Sequence, residues 1–571
     1  MCGIFSILNY DKSDITKDNL IKNFNKGINR GPEYSNLINI DNIYFGFHRL
    51  AINGLDSLSN QPFEDDNIIL ICNGEIYNYK QLAKENNINL KSNSDCEIIL
   101  HLYKLHNIEY VLNILDGVFS FILYDKKTKY IYIARDPYGV RPLYYFSENN
   151  VIGFASELKV LYNLTYKKNN LHNFKPGHYL ELNLNNKQMK IEYNMHKYIY
   201  FPCSNNQLTN TNLYNNIISF LITSVKKRVI DTTERPIACL LSGGLDSSLI
   251  AALVKYEMYK NKNLKDKKLK TFSIGLPGSE DLKYAKIVAN HLNTEHHEII
   301  VSEDDFFNAI PEVIRDIESY DTTTVRASVG NYLIGKYIKE NTDCKVIFNG
   351  DGADELMGGY LYMKHAPNSC EFDKECKRLL NDIYMFDVLR SDKCISSHGL
   401  EPRTPYLDKT WVEFYLSINR ETRYNTTINN CEKFLIRKSF DTLMPQILPK
   451  SILWRTKEAF SDGVSSQKKS WYEIIQDKII YKMTDELNEI KKEDNELYNN
   501  LVKLMNRYKE SNDNINIPIT FEQAYYRYLY NINYINTDHL IEYFWMPKFI
   551  NAKDASARTL NIYKNENSNI N

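Results

Sequence analysis

The chain has 571 residues, with 70 Lys+Arg against 71 Asp+Glu and a formal net charge of -1; such a length implies two large domains or three small ones, and the balanced charge gives no electrostatic case for nucleic acid or an anionic membrane. No stretch of about 18 apolar residues occurs, so no spanning helix is expected, and no basic segment precedes the apolar N-terminal run, so no secretory signal is expected. The 10 Cys are scattered singly with no C-x-x-C pair, which reads as free thiols in a reducing, cytoplasmic compartment and no zinc site.

The chain opens Met1–Cys2–Gly3–Ile4. Met is trimmed when the next side chain is small, and its removal would leave Cys2 with a free α-amine of pKa about 7.7–8.0. Thiol nucleophile and amine base would then sit on one residue. Taken alone, Cys2 reads better as a small hydrophobe at the start of a strand. Up to about residue 200 the chain is short β-branched or aromatic runs broken by turn residues, with one helix around Asp95 to Leu105. This predicts stacked antiparallel sheets.

Three segments change the weight on Cys2: His48–Arg49–Leu50–Ala51–Ile52, then Asn73–Gly74–Glu75–Ile76–Tyr77–Asn78, then Ser94–Asp95. With Cys2–Gly3–Ile4 they resemble the N-terminal-nucleophile, or class II, glutamine amidotransferase domain over residues 2 to 190. The resemblance implies that Arg49 takes the glutamine α-carboxylate with its planar fork and that Asp95 faces the α-ammonium. It implies that the Asn73 side chain and Gly74 N–H hold the oxyanion. Leu50, Ala51, Ile52, Asn53 and Glu75 complete the glutamine pocket on the same basis. Asn73–Gly74 by itself reads as a tight hairpin turn.

After the polar stretch 201–212 the pattern changes to apolar strands alternating with helical stretches, which predicts a parallel α/β domain. A strand runs into Ser242–Gly243–Gly244–Leu245–Asp246–Ser247–Ser248 and a helix follows. Glycines and hydroxyls at a helix N-terminus make an anion cradle, without the G-K-[ST] of a Walker loop. The loop resembles that of ATP pyrophosphatases, with Asp246 helping to hold Mg²⁺ on the phosphates. Ile274 and Gly275 fall at a strand end, where open α/β sheets bind ligands. Another strand runs into Asn349–Gly350–Asp351–Gly352–Ala353–Asp354–Glu355, whose three carboxylates read as a metal–phosphate site. Thr324 and Arg326 read as one turn apart on a helix start, suited to an anionic amino acid. Arg403 and Lys457 add cations.

With these pieces in place the whole chain resembles the glutamine-hydrolysing asparagine synthetases, down to the segment 543–563. The resemblance implies an α+β N-terminal-nucleophile domain over 2–200, a parallel-sheet ATP-pyrophosphatase domain over 210–550 and a tail over 551–571. It implies adenylation of aspartate by ATP, and attack on the acyl-adenylate by ammonia released at Cys2 and carried through the interior. Leu241, Ser242, Gly243, Gly244, Asp246, Ser247, Ile274, Asn349, Gly350 and Lys457 would then bind ATP. Thr324 and Arg326 would bind aspartate, and Asp246 and Asp354 would bind Mg²⁺. Glutamine, aspartate and ATP are the expected partners, together with a second copy of the chain through the N-terminal domain; nucleic acid and membrane are not expected.

One loop departs from the commonest eukaryotic pattern, Ser-Gly-Glu-Gly-Ser-Asp-Glu. Here the shorter Asp351 occupies the position that takes the proton from attacking ammonia, as in other branches of the family. Amidotransferases making phosphoribosylamine or glucosamine phosphate would not carry the Ser242–Ser248 loop. A β-lactam-forming synthetase would generally lack the N-terminal Cys. A decayed, non-catalytic paralogue would be expected to lose Cys2, Asp246, Asp351 or Lys457. Residues 484 to 516 read as a surface helical insertion and the last residues as a frayed tail.

Overall fold

The computed structural model describes residues 2–185, 191, 194–204, 209–458, 460–466, 468–484, 496–510, 516–552 and 554–559. The N-terminal part builds two six-stranded antiparallel sheets. One runs in the order Leu171–Asn173, Tyr144–Glu148, Val151–Ala155, Gly3–Leu8, Ile43–Arg49, Tyr34–Ile40. The other runs Met195–Lys197, His178–Asn183, Tyr130–Arg135, Gly117–Asp125, Ile68–Ile76, Phe63–Glu64.

The period of two along a strand explains why both faces of these sheets are apolar. Ile4 and Leu8 of the first strand meet Ile69, Ile71, Ile122 and Ile133 between the sheets. Phe5 and Ile7 of the same strand face outward, with Leu20 and Phe24 of the helix Lys17–Phe24. On the far side Leu70 and Cys72 pack with Ile98, Ile99 and Leu102 of the helix Glu97–Leu105, the helix expected from the sequence. The result is a four-layer stack of helix, sheet, sheet and helix.

The second part holds a five-stranded parallel sheet in the order Glu295–Ile300, Lys270–Gly275, Ile237–Leu240, Val346–Phe348, Glu401–Arg403. Ile237–Leu240 pairs with the later strand Lys270–Gly275 on one side and with Val346–Phe348 on the other. The strand order therefore reverses at Ile237–Leu240, and a crevice opens at the carboxyl ends there. The helix Glu496–Glu510 falls in the region 484–516 expected to be a helical insertion, and the helix Trp471–Thr484 leads into it; residues 485–495 and 511–515, and residues 560–571 of the tail, lie outside the described residues.

The two parts share one core. Leu50, Ile52, Tyr77 and Val118 belong to the same apolar cluster as Leu245, Leu249, Phe348 and Leu356. Among the described residues no helix is long and apolar enough to cross a membrane.

Candidate active sites

Cys2 leads into the strand Gly3–Leu8, which pairs with Ile43–Arg49 so that Gly3 stands opposite His48. This brings the half-buried Cys2 Sγ to 3.8 Å from the Leu50 carbonyl. Burial pushes the thiol up to about 11, against the pull of the N-terminal ammonium charge, the Leu50 contact and Arg49. Arg49 is buried and fixed by its own loop: Nη1 donates to the Asp56 carbonyl at 2.9 Å and to Asn60 Oδ1 at 2.6 Å, and Nη2 to the Gly54 carbonyl.

Asn73 and Gly74 are not in a turn. They lie inside the nine-residue strand Ile68–Ile76, opposite Ser120 and Phe119. The Asn-Gly pair reads as a turn only while its neighbours are ignored; the apolar alternation on both sides makes it strand. Gly74 is required by crowding, since a Cβ there would stand 2.5 Å from the Val118 carbonyl oxygen. Ser156 Oγ accepts from the Ile4 N–H at 3.0 Å and from Asn73 Nδ2 at 3.4 Å, tying the Cys2 strand to the Asn73 strand. Asn73 Oδ1 is buried and has no hydrogen-bond partner among the described residues.

Asp95 is buried and accepts from the Ile76 N–H at 2.5 Å. Burial pushes its carboxyl up to about 6, although the Ile76 amide opposes this. Glu75 turns instead toward the second domain, 3.2 Å from Arg403 Nη2. Burial and the neighbouring Asp95 and Glu401 hold it well above the usual carboxylate range.

The crevice of the parallel sheet is lined by the Ser242–Ser247 loop, Ile274, Asn349–Asp351, Asp354 and Lys457. The loop closes on itself through Ser242 Oγ and Ser247 Oγ, 3.0 Å apart, and the helix Leu245–Lys260 begins there. Gly350 allows the acidic loop to lie against it: a Cβ would meet the Ser247 nitrogen at 2.8 Å.

The three carboxylates of the acidic loop go three ways. Asp354 meets Lys457 Nζ at 2.5 Å and Lys433 Nζ at 2.7 Å. Burial would raise its pKa, but the two lysines outweigh it and hold it well below the usual range. Asp246 meets the same Lys433 Nζ at 2.6 Å. Asp351 is held by Arg390 Nη2 at 3.0 Å and burial raises its carboxyl. Glu355 accepts from Tyr360 Oη at 2.6 Å, beside Asp387, and burial pushes it well up. Among the described residues no three His, Cys, Asp or Glu converge as a metal site. The three side chains of this helix start diverge, with Asp354 alone beside Asp246 on Lys433.

Arg326 is not brought to this crevice. Thr324 and Arg326 both lie in the helix Thr322–Asn341, but two residues apart they point to different sides. Thr324 Oγ1 donates to Asp321 at 2.8 Å, and Thr324 lines a smaller adjoining pocket with Tyr360, Phe386 and Trp545. Arg326 is buried in forked pairs with Glu522 (2.7 and 2.6 Å) and Asp554 (2.7 and 2.8 Å). It is Thr323 that lines the main crevice. Arg403 also lies elsewhere: it spans Glu401 (2.8 Å) and Glu75 between the two parts.

A glutamine amidotransferase domain model matches residues 1–210, and an asparagine synthase model matches residues 216–374 and 365–510. The glutamine-hydrolyzing asparagine synthetase of Gallus gallus is 40% identical over 587 residues, covering 99% of each chain. The chain belongs to the glutamine-hydrolysing asparagine synthetase family. The Homo sapiens member is 38% identical over 600 residues, again covering 99% of each chain. A solved glutamine phosphoribosylpyrophosphate amidotransferase from B. subtilis, complexed with ADP and GMP, is 16% identical, covers 52% of this chain and 81% of that one, and has a TM-score of 0.30.

Within this asparagine synthetase frame, sequence reasoning passed over Lys433, Arg390, Tyr360 and Asp387. Lys433 carries a left-handed backbone, φ 55°, at the start of the helix Phe434–Leu443. A single Lys ahead of an amphipathic helix gives no signal of that kind. Arg390 and Asp387 lie in a helix whose charges read as solvated, yet Arg390 is buried.

Proposed function

We propose that the chain makes L-asparagine from L-aspartate, with ATP as activating substrate and L-glutamine as nitrogen donor, releasing AMP, pyrophosphate and L-glutamate. The observation that carries this reading is the presence, in one chain matching the family end to end, of the N-terminal Cys2 strand and the anion-cradle crevice in domains that share a core. Cys2 attacks the glutamine carboxamide. A thiol that burial keeps neutral needs a base, and the α-amine freed by loss of Met1 supplies one. Arg49, with Leu50, Ala51, Ile52 and Asn53 around it, binds the glutamine carboxylate end; Glu75, whose side chain faces Arg403, joins the pocket through its backbone. Asp95 takes the ammonium, and Asn73 and Gly74 the oxyanion.

In the crevice, Leu241 and Ile274 receive the base, and Ser242, Gly243, Gly244, Ser247, Asn349 and Gly350 the ribose and phosphates. Lys457 and Lys433 neutralise the phosphates. Aspartate must be adenylated because a free carboxylate is no electrophile toward ammonia, whereas its mixed anhydride with AMP is. Asp351 takes the proton from ammonia. Mg²⁺ would be held by Asp246 and Asp354, whose carboxylates converge on one lysine nitrogen. Two carboxylates plus substrate phosphates suit this ion, which supplies charge neutralisation when bound.

Thr324 and Arg326 are assigned to aspartate. For Arg326 this means exchanging Asp554 for a substrate carboxylate. We divide the chain into a glutaminase domain, 2–200, an adenylating domain, 210–550, and a tail, 551–571. We place it in the cytoplasm as a homodimer whose other partners are small molecules. Cys2→Ala tests the reading: glutamine-dependent asparagine formation should vanish while synthesis from added ammonium, with aspartate-dependent pyrophosphate release, persists. Mass spectrometry should show Met1 removed. Glutamine-dependent synthesis surviving in Cys2→Ala would overturn it.

A further inference from the structure

The layer between the two antiparallel sheets is apolar along most of its length, with Ile4, Leu8, Ile69, Ile71, Ile122 and Phe154 among its residues. The period of two along a strand carries each of these rows into one polar residue: Ser6 between Ile4 and Leu8, Asn73 after Ile71, Ser120 before Ile122 and Ser156 after Phe154. Asn73 and Ser120 stand opposite each other in register. All four are buried. Among the described residues Ser6 Oγ, Ser120 Oγ and Asn73 Oδ1 have no hydrogen-bond partner, although buried polar groups are normally satisfied.

Ser156 ties two of these strands together. Its N–H donates to the Ile4 carbonyl at 3.1 Å and its Oγ accepts from the Ile4 N–H at 3.0 Å, so it clamps the strand that carries Cys2. The other contact of Oγ, from Asn73 Nδ2, is 3.4 Å, long for a hydrogen bond. A hydroxyl has one proton to give and two lone pairs to fill. With both donors on it, Ser156 has filled both lone pairs. Its own proton then has no acceptor among the described residues, while Asn73 Oδ1, on the same carboxamide, has no donor. A half-turn of the Asn73 amide answers both needs at once: Oγ–H donates to Oδ1, and the carboxamide keeps its shape.

We infer that Ser156 is a positioning residue for the glutaminase reaction: its hydroxyl donates to the Asn73 side-chain carbonyl and so presents the Asn73 NH₂ to the oxyanion formed on glutamine. The inference rests on the reading of Asn73 as an oxyanion donor. That reading gives the amide a required direction. The end not held by Ser156 is the end left for substrate; a carbonyl oxygen there would repel an oxyanion, whereas an NH₂ donates to it. The Ile4 N–H, by taking one lone pair of Ser156, restricts where the hydroxyl proton can point. Ser120 is the competing donor on the same face. It lies across from Asn73 yet makes no hydrogen bond to it, so the contact to Ser156 decides between them.

Glutaminase kinetics of the full-length protein test this with Ser156→Ala, Ser156→Thr, Ser120→Ala and Asn73→Ala. Ser156→Ala should lower kcat for glutamine about tenfold with KM within about twofold of the parent, a smaller loss than the roughly 10²–10³-fold that follows removal of an oxyanion donor. Added to Asn73→Ala it should cost nothing further, because the two residues act through one amide. Ser156→Thr, which keeps the hydroxyl, should restore most of kcat, and Ser120→Ala should match the parent. Alkylation of Cys2 by iodoacetamide, followed by peptide mass mapping, should run at the parent rate in Ser156→Ala, because the sulfur displaces iodide and no oxyanion forms. Should circular dichroism show Ser156→Ala unfolded, Ser156→Cys, close in size and a weak donor, takes its place with the same expectations. Parent kcat in Ser156→Ala, or a loss that Ser120→Ala reproduces, overturns the inference. So does slowed alkylation or a loss in KM alone, either of which would make Ser156 only a clamp on the Cys2 strand. Parent kcat in Asn73→Ala would instead overturn the oxyanion reading itself.

Discussion

Arg30 Nη1 donates to Asp392 Oδ2 at 2.7 Å, while Nε of the same guanidinium donates to the Cys2 carbonyl at 3.0 Å. Asp392 lies in the helix Asp387–Ser396, and two residues earlier in that helix Arg390 holds Asp351. One helix thus touches the backbone of the proposed nucleophile and the proposed acid–base group of the other site. Arg30→Lys keeps the charge but not the fork. We expect it to loosen this link, so that more glutamate is released per asparagine made, by a factor of about 2–5 (an interaction of about 0.5–1 kcal/mol). Parallel assay of the two products checks this; an unchanged ratio would mean that the helix carries no coupling.

Asp351 stands where the commonest eukaryotic loops carry Glu. Among the described residues its buried Oδ2 has no hydrogen-bond partner, which leaves that oxygen for an incoming proton. Asp351→Ala should slow asparagine formation by about 10²–10⁴-fold. Asp351→Glu should keep substantial activity. Positional isotope exchange in ATP would assign the loss in Asp351→Ala to ammonia attack if exchange persists. Near-normal synthesis in Asp351→Ala removes the residue from the mechanism.

Asp95 gives a pH signature. Burial pushes its folded-state carboxyl up to about 6, from an ordinary value of 3.8. Between those values the folded chain keeps a proton that the unfolded chain has lost, so its contribution to stability falls as pH rises through that window. Asp95→Asn, which can still accept from Ile76, should therefore melt several degrees higher than the parent at pH 7, with the gap closing toward pH 4. Its kcat/KM for glutamine should collapse, and the parent's should decline below about pH 6 as Asp95 protonates. Melting curves across pH decide it; a gap that widens on acidification would contradict the burial argument.

Asp554 occupies one edge of Arg326, and its side chain is 19% exposed, against 1% for Glu522 on the other edge. If substrate aspartate takes the Asp554 edge, Asp554→Asn removes a competitor. The expected outcome is a several-fold lower KM for aspartate with KM for ATP unchanged. Glu522→Gln should instead lower the melting temperature, because the buried Arg326 loses the more deeply buried of its two carboxylate partners. A rise in aspartate KM in Asp554→Asn would make the pair a purely structural clasp.

The two sheet types and their order were legible because period-two alternation and strand–loop–helix signals are local. Cys2, Arg49, Asp95 and the Ser242–Ser247 loop, proposed for the two sites on their sequence motifs, sit at element ends. Asn73–Gly74 misled because the pair has a strong turn preference that tertiary pairing overrides. The partners that hold Arg326, Glu522 and Asp554, were not legible because they lie about two hundred residues away along the chain. Lys433 was invisible for the same reason: its meaning comes from Asp246 and Asp354, which only the folded sheet brings together.

The charged layer between the halves has a consequence for cutting the chain in two. Arg30, Arg141 and Glu75 come from one half, and Asp392, Glu401 and Arg403 from the other, and all six are buried. Severed, each piece would hydrate its share of these groups, and reassembly would have to strip that water away again. The intact polypeptide avoids the problem by holding the halves at an effective concentration on the order of millimolar. Co-expressed fragments should accordingly remain largely separate, neither completing the other.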